Sequence, residues 1–164
     1  MTIRRLGGLA EEACTRSIIS AFFDVYNTLG YGFLESVYIA ALEFELSLRD
    51  HAVAREVSIR VIYKGREIAW QRVDMLVDDA VILEIKATPK LPPNASRQLY
   101  NYLRATRLEV GLLLHFGPKP RFFRLFSPNQ APLRTAATEV VATENPNTVE
   151  DEARVVSDEF EPSV

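Results

Sequence analysis

Cysteine is almost absent from this sequence, with Cys14 the only one. A lone thiol excludes an internal disulfide framework and a cysteine-built zinc cluster, and it fits a reducing, cytoplasmic setting. It reads as a small core residue. Histidine is scarce as well. His51 and His115 are the whole complement, neither has partners at ligand spacing, and both read as structural. Long apolar runs are missing. The most apolar stretch, Val110 to Phe116, falls far short of the ~20 residues a membrane helix needs, so no membrane partner is expected. The opening MTIRRLGGLAEEACTR brings Glu11 and Glu12 soon after its arginines and holds no apolar run, so it does not read as a secretory signal.

What is present suits an ordinary globular chain. Its 164 residues are 48% hydrophobic and 25% charged, enough for one domain with a real core. The net charge of −3 hides an asymmetry: residues 55–126 carry 13 Lys/Arg against 7 Asp/Glu, whereas residues 1–54 net −3 and residues 127–164 net −6. A basic middle is what a polyanion binder needs, and also what solvated strand and helix surfaces supply.

Periodicity sets out the elements. Ile18, Phe22, Val25 and Leu29 share one face of a helix over residues 9–29. Gly30-Tyr31-Gly32 breaks it, and a second helix is expected over 34–49 with Leu34, Val37, Tyr38, Ala41, Leu42 and Leu48 inward. The pattern then alternates through Val57, Ile59, Val61 and Tyr63, a strand ending at a Lys64–Gly65 turn. Strands over 66–77 and 81–87 follow, separated by turn residues Asp78 and Asp79. Prolines 89, 92 and 93 open a loop, and Asn94 is placed to cap a helix over 95–106. Strands over 110–115 and 121–126 close the pattern. The order αα-βββ-α-ββ implies an α/β (α+β) fold with a central mixed sheet flanked by helices. Residues 1–126 form the expected domain, and 127–164 read as an acidic, mostly disordered tail with a weak helical segment near 136–142.

Glu84-Ile85-Lys86 carries the chemistry. Residues i and i+2 of a strand share a face, so Glu84 and Lys86 point the same way. The pair reads either as a structural ion pair or as a metal ligand beside a group that handles water. The preceding hairpin has two registers. A two-residue loop sets Val73 opposite Glu84. A three-residue loop, Asp78–Ala80, pairs Val77 with Val81 and Met75 with Leu83, and sets Asp74 opposite Glu84. The second gives a continuous apolar face and is preferred. It brings two carboxylates together with Lys86 beside them. Such anions repel unless a cation lies between them, and Mg²⁺ suits an all-oxygen site that also holds a phosphate. Lys86 would hold or deprotonate the attacking water, or neutralise developing phosphorane charge.

Further motifs stand in order: Gly32-Phe33-Leu34-Glu35-Ser36-Val37-Tyr38, Tyr63-Lys64-Gly65, Arg72-Val73-Asp74, Glu84-Ile85-Lys86, Gln98-Leu99-Tyr100-Asn101-Tyr102 and Gly111 through Gly117. In this order and spacing the chain resembles the GxxExxY protein family, a branch of the PD-(D/E)XK nuclease superfamily, over about residues 9–126. The resemblance implies a restriction-endonuclease-like core and a nuclease site in which Glu35, Asp74, Glu84, Lys86 and Gln98 are catalytic. It implies Asp74, Glu84 and the main-chain carbonyl of Ile85 as metal ligands, with Glu35 as a further candidate. Mg²⁺ is the implied cofactor and Mn²⁺ its natural substitute. Gln98 and Tyr102 match the Q-x-x-x-Y motif, and Tyr102, Lys90, Arg97 and Arg104 are the candidate substrate contacts. The chain departs from the pattern at His115, where asparagine is expected, and it lacks a histidine just upstream of Asp74 or Glu84. The implied activity is phosphodiester hydrolysis on a nucleic acid, with DNA favoured. The competing reading is a module on the same fold that binds nucleic acid or protein without cutting. The oligomeric state is left open, a homodimer included. Tyr38 reads as core, and Trp70 as a packed strand residue whose alternative is stacking on a base.

Overall fold

The computed structural model describes residues 8–127, with side chains from residue 11 onward. The expected tail, 127–164, lies outside the described residues apart from its first position. The elements are α1 (Gly8–Leu29), α2 (Glu35–Ser47), β1 (Val53–Tyr63), β2 (Arg66–Val77), β3 (Val81–Lys86), α3 (Ala95–Thr106), β4 (Val110–Phe116) and β5 (Pro120–Phe126). Their order is αα-βββ-α-ββ. The five strands form one mixed sheet in the order β1-β2-β3-β4-β5. Only β3 and β4 run parallel, joined by the α3 crossover, and every other pair is antiparallel.

Central β3 and β4 are apolar and buried on both faces, as a strand covered on both sides must be. Their alternation separates two cores. Val81, Leu83 and Ile85 pack with Leu112, Leu114 and Phe116 against α1 and α2. Ile82 and Leu113 pack against Ala95, Leu99, Tyr102 and Leu103 of α3. Glu84 shares the parity of Ile82 and therefore faces α3. Gly111 lets α3 come this close: a Cβ there would lie 2.8 Å from Leu99 Cδ1.

Three expectations need correction. Trp70, expected to pack, is exposed, because β2 from Arg66 to Arg72 has no buried position. In α2 the inward residues are Tyr38, Leu42 and Leu46, whereas Leu34, Val37 and Leu48 lie exposed. The helix is apolar on more than one side, so periodicity alone could not choose the stripe. Asn94 does stand at the N-cap of α3, but its side chain makes no capping bond. The main chain serves instead, with Ala95 N donating to Pro92 O and Gln98 N to Asn94 O.

The first hairpin changes layers along its length. Met75 and Val77 pack with the α1/α2 core, yet Val57, Ile59 and Val73 pack with the α3 core. The switch falls at Glu56, which takes φ 50°. A left-handed residue in mid-strand turns the ribbon sharply, and beyond it β1 and β2 coil over α3. The Lys64–Gly65 turn closes the tip with both residues at positive φ, the pattern of a type I′ hairpin.

Candidate active site

The register at the second hairpin fixes the site. Val77 pairs with Val81, Leu76 with Ile82 and Met75 with Leu83, around a three-residue loop. Asp78 and Asp79 supply the left-handed turn, at φ 52° and 54°. Aspartate tolerates this region because its short polar side chain bonds locally. After Met75 and Leu83 the ladder ends, because the side chain of Asp74 takes the place of a main-chain acceptor. Its Oδ2 accepts the N–H of Ile85 at 2.7 Å. The strands part here, and the Asp74 carboxylate lies within electrostatic reach of Glu84.

Glu84 is only 2% exposed. Its Oε1 accepts from Lys86 Nζ at 2.6 Å, while its Oε2 is buried with no hydrogen-bond partner among the described residues. Burial pushes the Glu84 pKa up to about 7; the Lys86 ammonium opposes this and the Asp74 carboxylate adds to it. Asp74 is also raised, by burial above all, despite the Ile85 N–H and Lys86 pulling the other way. Burial works against the Lys86 ammonium, but the hydrogen bond and charge of Glu84 outweigh it and hold its pKa above the ordinary range. The cluster is thus short of positive charge, with one buried lone-pair site unused.

The Gly32–Tyr38 segment brings in a third carboxylate. Tyr38 is fully buried and stacks on Phe116 at 4.3 Å. Its hydroxyl donates to Gly30 O at 2.6 Å and accepts from Phe33 N at 3.2 Å. This latches the turn before α2, where Gly32 takes φ 116°. Glu35 is then the first residue of α2, and its Oε2 accepts the N–H of Ala87 at 3.2 Å, just past the end of β3. Glu35 acts electrostatically on both Glu84 and Lys86. Glycine, acid and tyrosine are therefore parts of one positioning device, and Tyr38 serves as core.

On the other side, α3 supplies Gln98 and Tyr102. They share a helix face, and Gln98 Nε2 donates to the Tyr102 hydroxyl. Tyr102 is buried and lies within the electrostatic reach of Glu84, Asp74 and Lys86; burial raises its pKa and Gln98 opposes the rise. The structure thus gathers Glu35, Asp74, Glu84, Lys86, Gln98 and Tyr102. It does not gather Arg97 and Arg104, which lie exposed on the face of α3 turned away from Leu99 and Tyr102. Lys90 is exposed in the loop before α3.

A second polar cluster escaped the sequence reading. At the far end of β2, Asp78 accepts from Ala52 N at 2.9 Å and bonds His51 Nδ1 at 2.7 Å, while His51 Nε2 bonds Ser17 Oγ at 2.8 Å. Cys14 Sγ donates to Asp78 at 3.5 Å, and burial pushes the Cys14 thiol up to about 12. Cys14, His51 and Asp78 lie close enough to share an ion. Hydrogen bonds to one another, to Ala52 and to Ser17 already account for the grouping without an ion. His115 Nε2 bonds Thr88 O at 2.7 Å, and its Nδ1 is buried without a partner among the described residues.

A mixed five-stranded sheet, parallel at its centre and split where an aspartate faces a Glu-x-Lys, defines a restriction-endonuclease-like nuclease class. The chain belongs to the PD-(D/E)XK nuclease superfamily, which it matches over residues 12–125. Nucleases of this superfamily use divalent metal ions, and the class implies a nucleic-acid substrate. Comparison with curated proteins and with solved structures gave no match. No helix among the described residues is long and apolar enough to cross a membrane.

Proposed function

We propose that this protein is a Mg²⁺-dependent nuclease of the GxxExxY branch that hydrolyses phosphodiester bonds in DNA. The carrying observation is the Glu84 carboxylate, buried beside Asp74 with one oxygen unpartnered. A cation in the opening between β2 and β3 would satisfy that oxygen and relieve both carboxylates. Asp74, Glu84 and the carbonyl of Ile85 are the ligands. Within a strand the N–H and C=O of one residue project to the same side. The Ile85 carbonyl therefore faces the gap that its N–H enters to reach Asp74. The ion supplies Lewis-acid stabilisation of the phosphate and activation of water.

The chain's own groups do the rest. Lys86, kept protonated by Glu84, donates to water or to a non-bridging phosphate oxygen as charge builds there. The water oxygen bonds to phosphorus while its proton passes to a carboxylate, the role assigned to Glu35; the bond to the leaving oxygen breaks, and that oxygen takes a proton from solvent to leave as an alcohol. Gln98 fixes the Tyr102 hydroxyl toward the cluster, where both border the substrate. Lys90 is the candidate contact to a flanking phosphate, whereas Arg97 and Arg104, on the outer face of α3, would meet only nucleic acid that runs past that helix.

Incubation of the full chain with labelled DNA and RNA, in Mg²⁺, Mn²⁺ or EDTA, tests this. Cleavage of DNA that needs the divalent ion and is lost in Glu84→Ala is the expected result. Binding of nucleic acid without cleavage in either ion would instead support a non-cleaving module.

A further inference from the structure

Among the described residues, no layer covers one face of the outer half of the first hairpin. All of β2 from Arg66 to Arg72 is exposed. Ser58 pairs with Arg72 and Arg60 with Trp70, so these side chains share a face, and a bulge follows between Val61 and Ile62. Trp70 is 59% exposed, and the side chains of Arg60 and Arg72 are 63% and 66% exposed. The indole therefore stands open to solvent with an arginine opposite it and another two residues along. Among the described residues, the ion pairs of these arginines are loose, at 4.0 Å to Glu67 and 3.8 Å to Glu56. Lys64 and Arg66 add positive charge at the tip.

The ribbon leads into the candidate active site. Arg72 pairs with Glu56, and Glu56 acts electrostatically on Asp74. Trp70 stands four residues before Asp74 on one strand, roughly 13 Å at the usual rise.

We propose that this ribbon is a single-strand-binding arm: an unpaired base stacks on Trp70 while Arg60 and Arg72 hold the flanking phosphates and aim the strand at Asp74 and Glu84. Stacking on an exposed aromatic flanked by guanidinium groups is open to any base and closed to bases paired within a duplex. The arm therefore selects substrates with single-stranded regions. It deepens the nuclease reading and rests on it only for where the strand leads, not for the binding itself.

Trp70 is the sole tryptophan, so its fluorescence reports on this position alone. Titration of the full chain in EDTA with single-stranded oligothymidylate should quench that fluorescence saturably. Anisotropy of a labelled strand should show Trp70→Ala binding about 5- to 100-fold more weakly, with duplex of equal length shifting less than about twofold and Trp70→Phe recovering most of the loss. Binding without quenching, an unchanged affinity in Trp70→Ala, or equal losses on single strand and duplex would each overturn the arm. So would sedimentation in which Trp70→Ala turns a dimer into a monomer without altering strand binding. Quenching with no cleavage in Mg²⁺ would leave the arm standing and sink the nuclease reading alone.

Discussion

Two aspartates four residues apart, Asp74 on β2 and Asp78 in the turn that follows it, sit in opposite electrostatic states. At the turn, Asp78 accepts hydrogen bonds from Ala52 N–H and Cys14 and bonds His51. Partial burial would raise its pKa, but those partners outweigh it and hold the carboxyl below its ordinary range. In the opening, Asp74 and its neighbour Glu84 are both raised, and Glu84 Oε2 has no partner. A satisfied carboxylate locks a loop to a helix. A dissatisfied pair is held in place by the surrounding fold at a cost in stability, which is how sites that await a ligand are built.

Substitutions should separate the two ends. Asp74→Ala or Glu84→Ala should cut cleavage by about 10³-fold or more, the scale of losing ion-assisted stabilisation. Asp78→Ala should leave the rate within about threefold but cost about 2 kcal/mol of stability in urea denaturation, because three bonds are lost. A large rate loss in Asp78→Ala would break the division.

The two ends should also respond oppositely to pH. The folded pKa of Glu84 lies at about 7, above its unfolded value, so its stabilising contribution is full in acid and is lost as pH rises through 7. In EDTA, wild type should lose on the order of 1–3 kcal/mol relative to Glu84→Gln between about pH 5 and 8. Mg²⁺ should abolish that difference. Asp78, with its pKa depressed, contributes above the ordinary carboxylate range and loses its contribution as pH falls through its folded value. Parallel curves for wild type and Glu84→Gln would remove the electrostatic distinction.

The smallest effect is expected at α3. Tyr102→Phe keeps the buried ring and removes only the hydroxyl that Gln98 bonds, so cleavage should fall about 3- to 10-fold with little change in melting temperature. An unaltered rate would return Tyr102 and Gln98 to a purely structural part.

The nearness of Asp74, Glu84 and Lys86 is legible in strand parity and that of Gln98 and Tyr102 in helix spacing, whereas Glu35 enters only through the Gly-x-x-Glu-x-x-Tyr motif. The register that set Asp74 opposite Glu84 came from the apolar match of Met75 with Leu83 and Val77 with Val81, and the ladder keeps both pairs. The His51–Asp78 contact spans 27 residues and joins a loop to a turn, which no local period encodes. Trp70 was read as packed because strand tryptophans usually lie under another layer, whereas this ribbon coils past its covering helices. The α2 stripe is legible only in part: Tyr38 and Leu42 are buried as expected, but apolar Leu34, Val37 and Leu48 lie on an adjoining side that neither α1 nor the sheet covers, and Leu46 takes the third buried place.

The most direct test of the Asp74–Glu84 site is calorimetric titration of Mn²⁺ into wild type and into Glu84→Gln at neutral pH. Saturable binding to wild type, with proton release and lost in the variant while its fold is kept, is the expected result. Binding of equal strength to both proteins, or to neither, would contradict it.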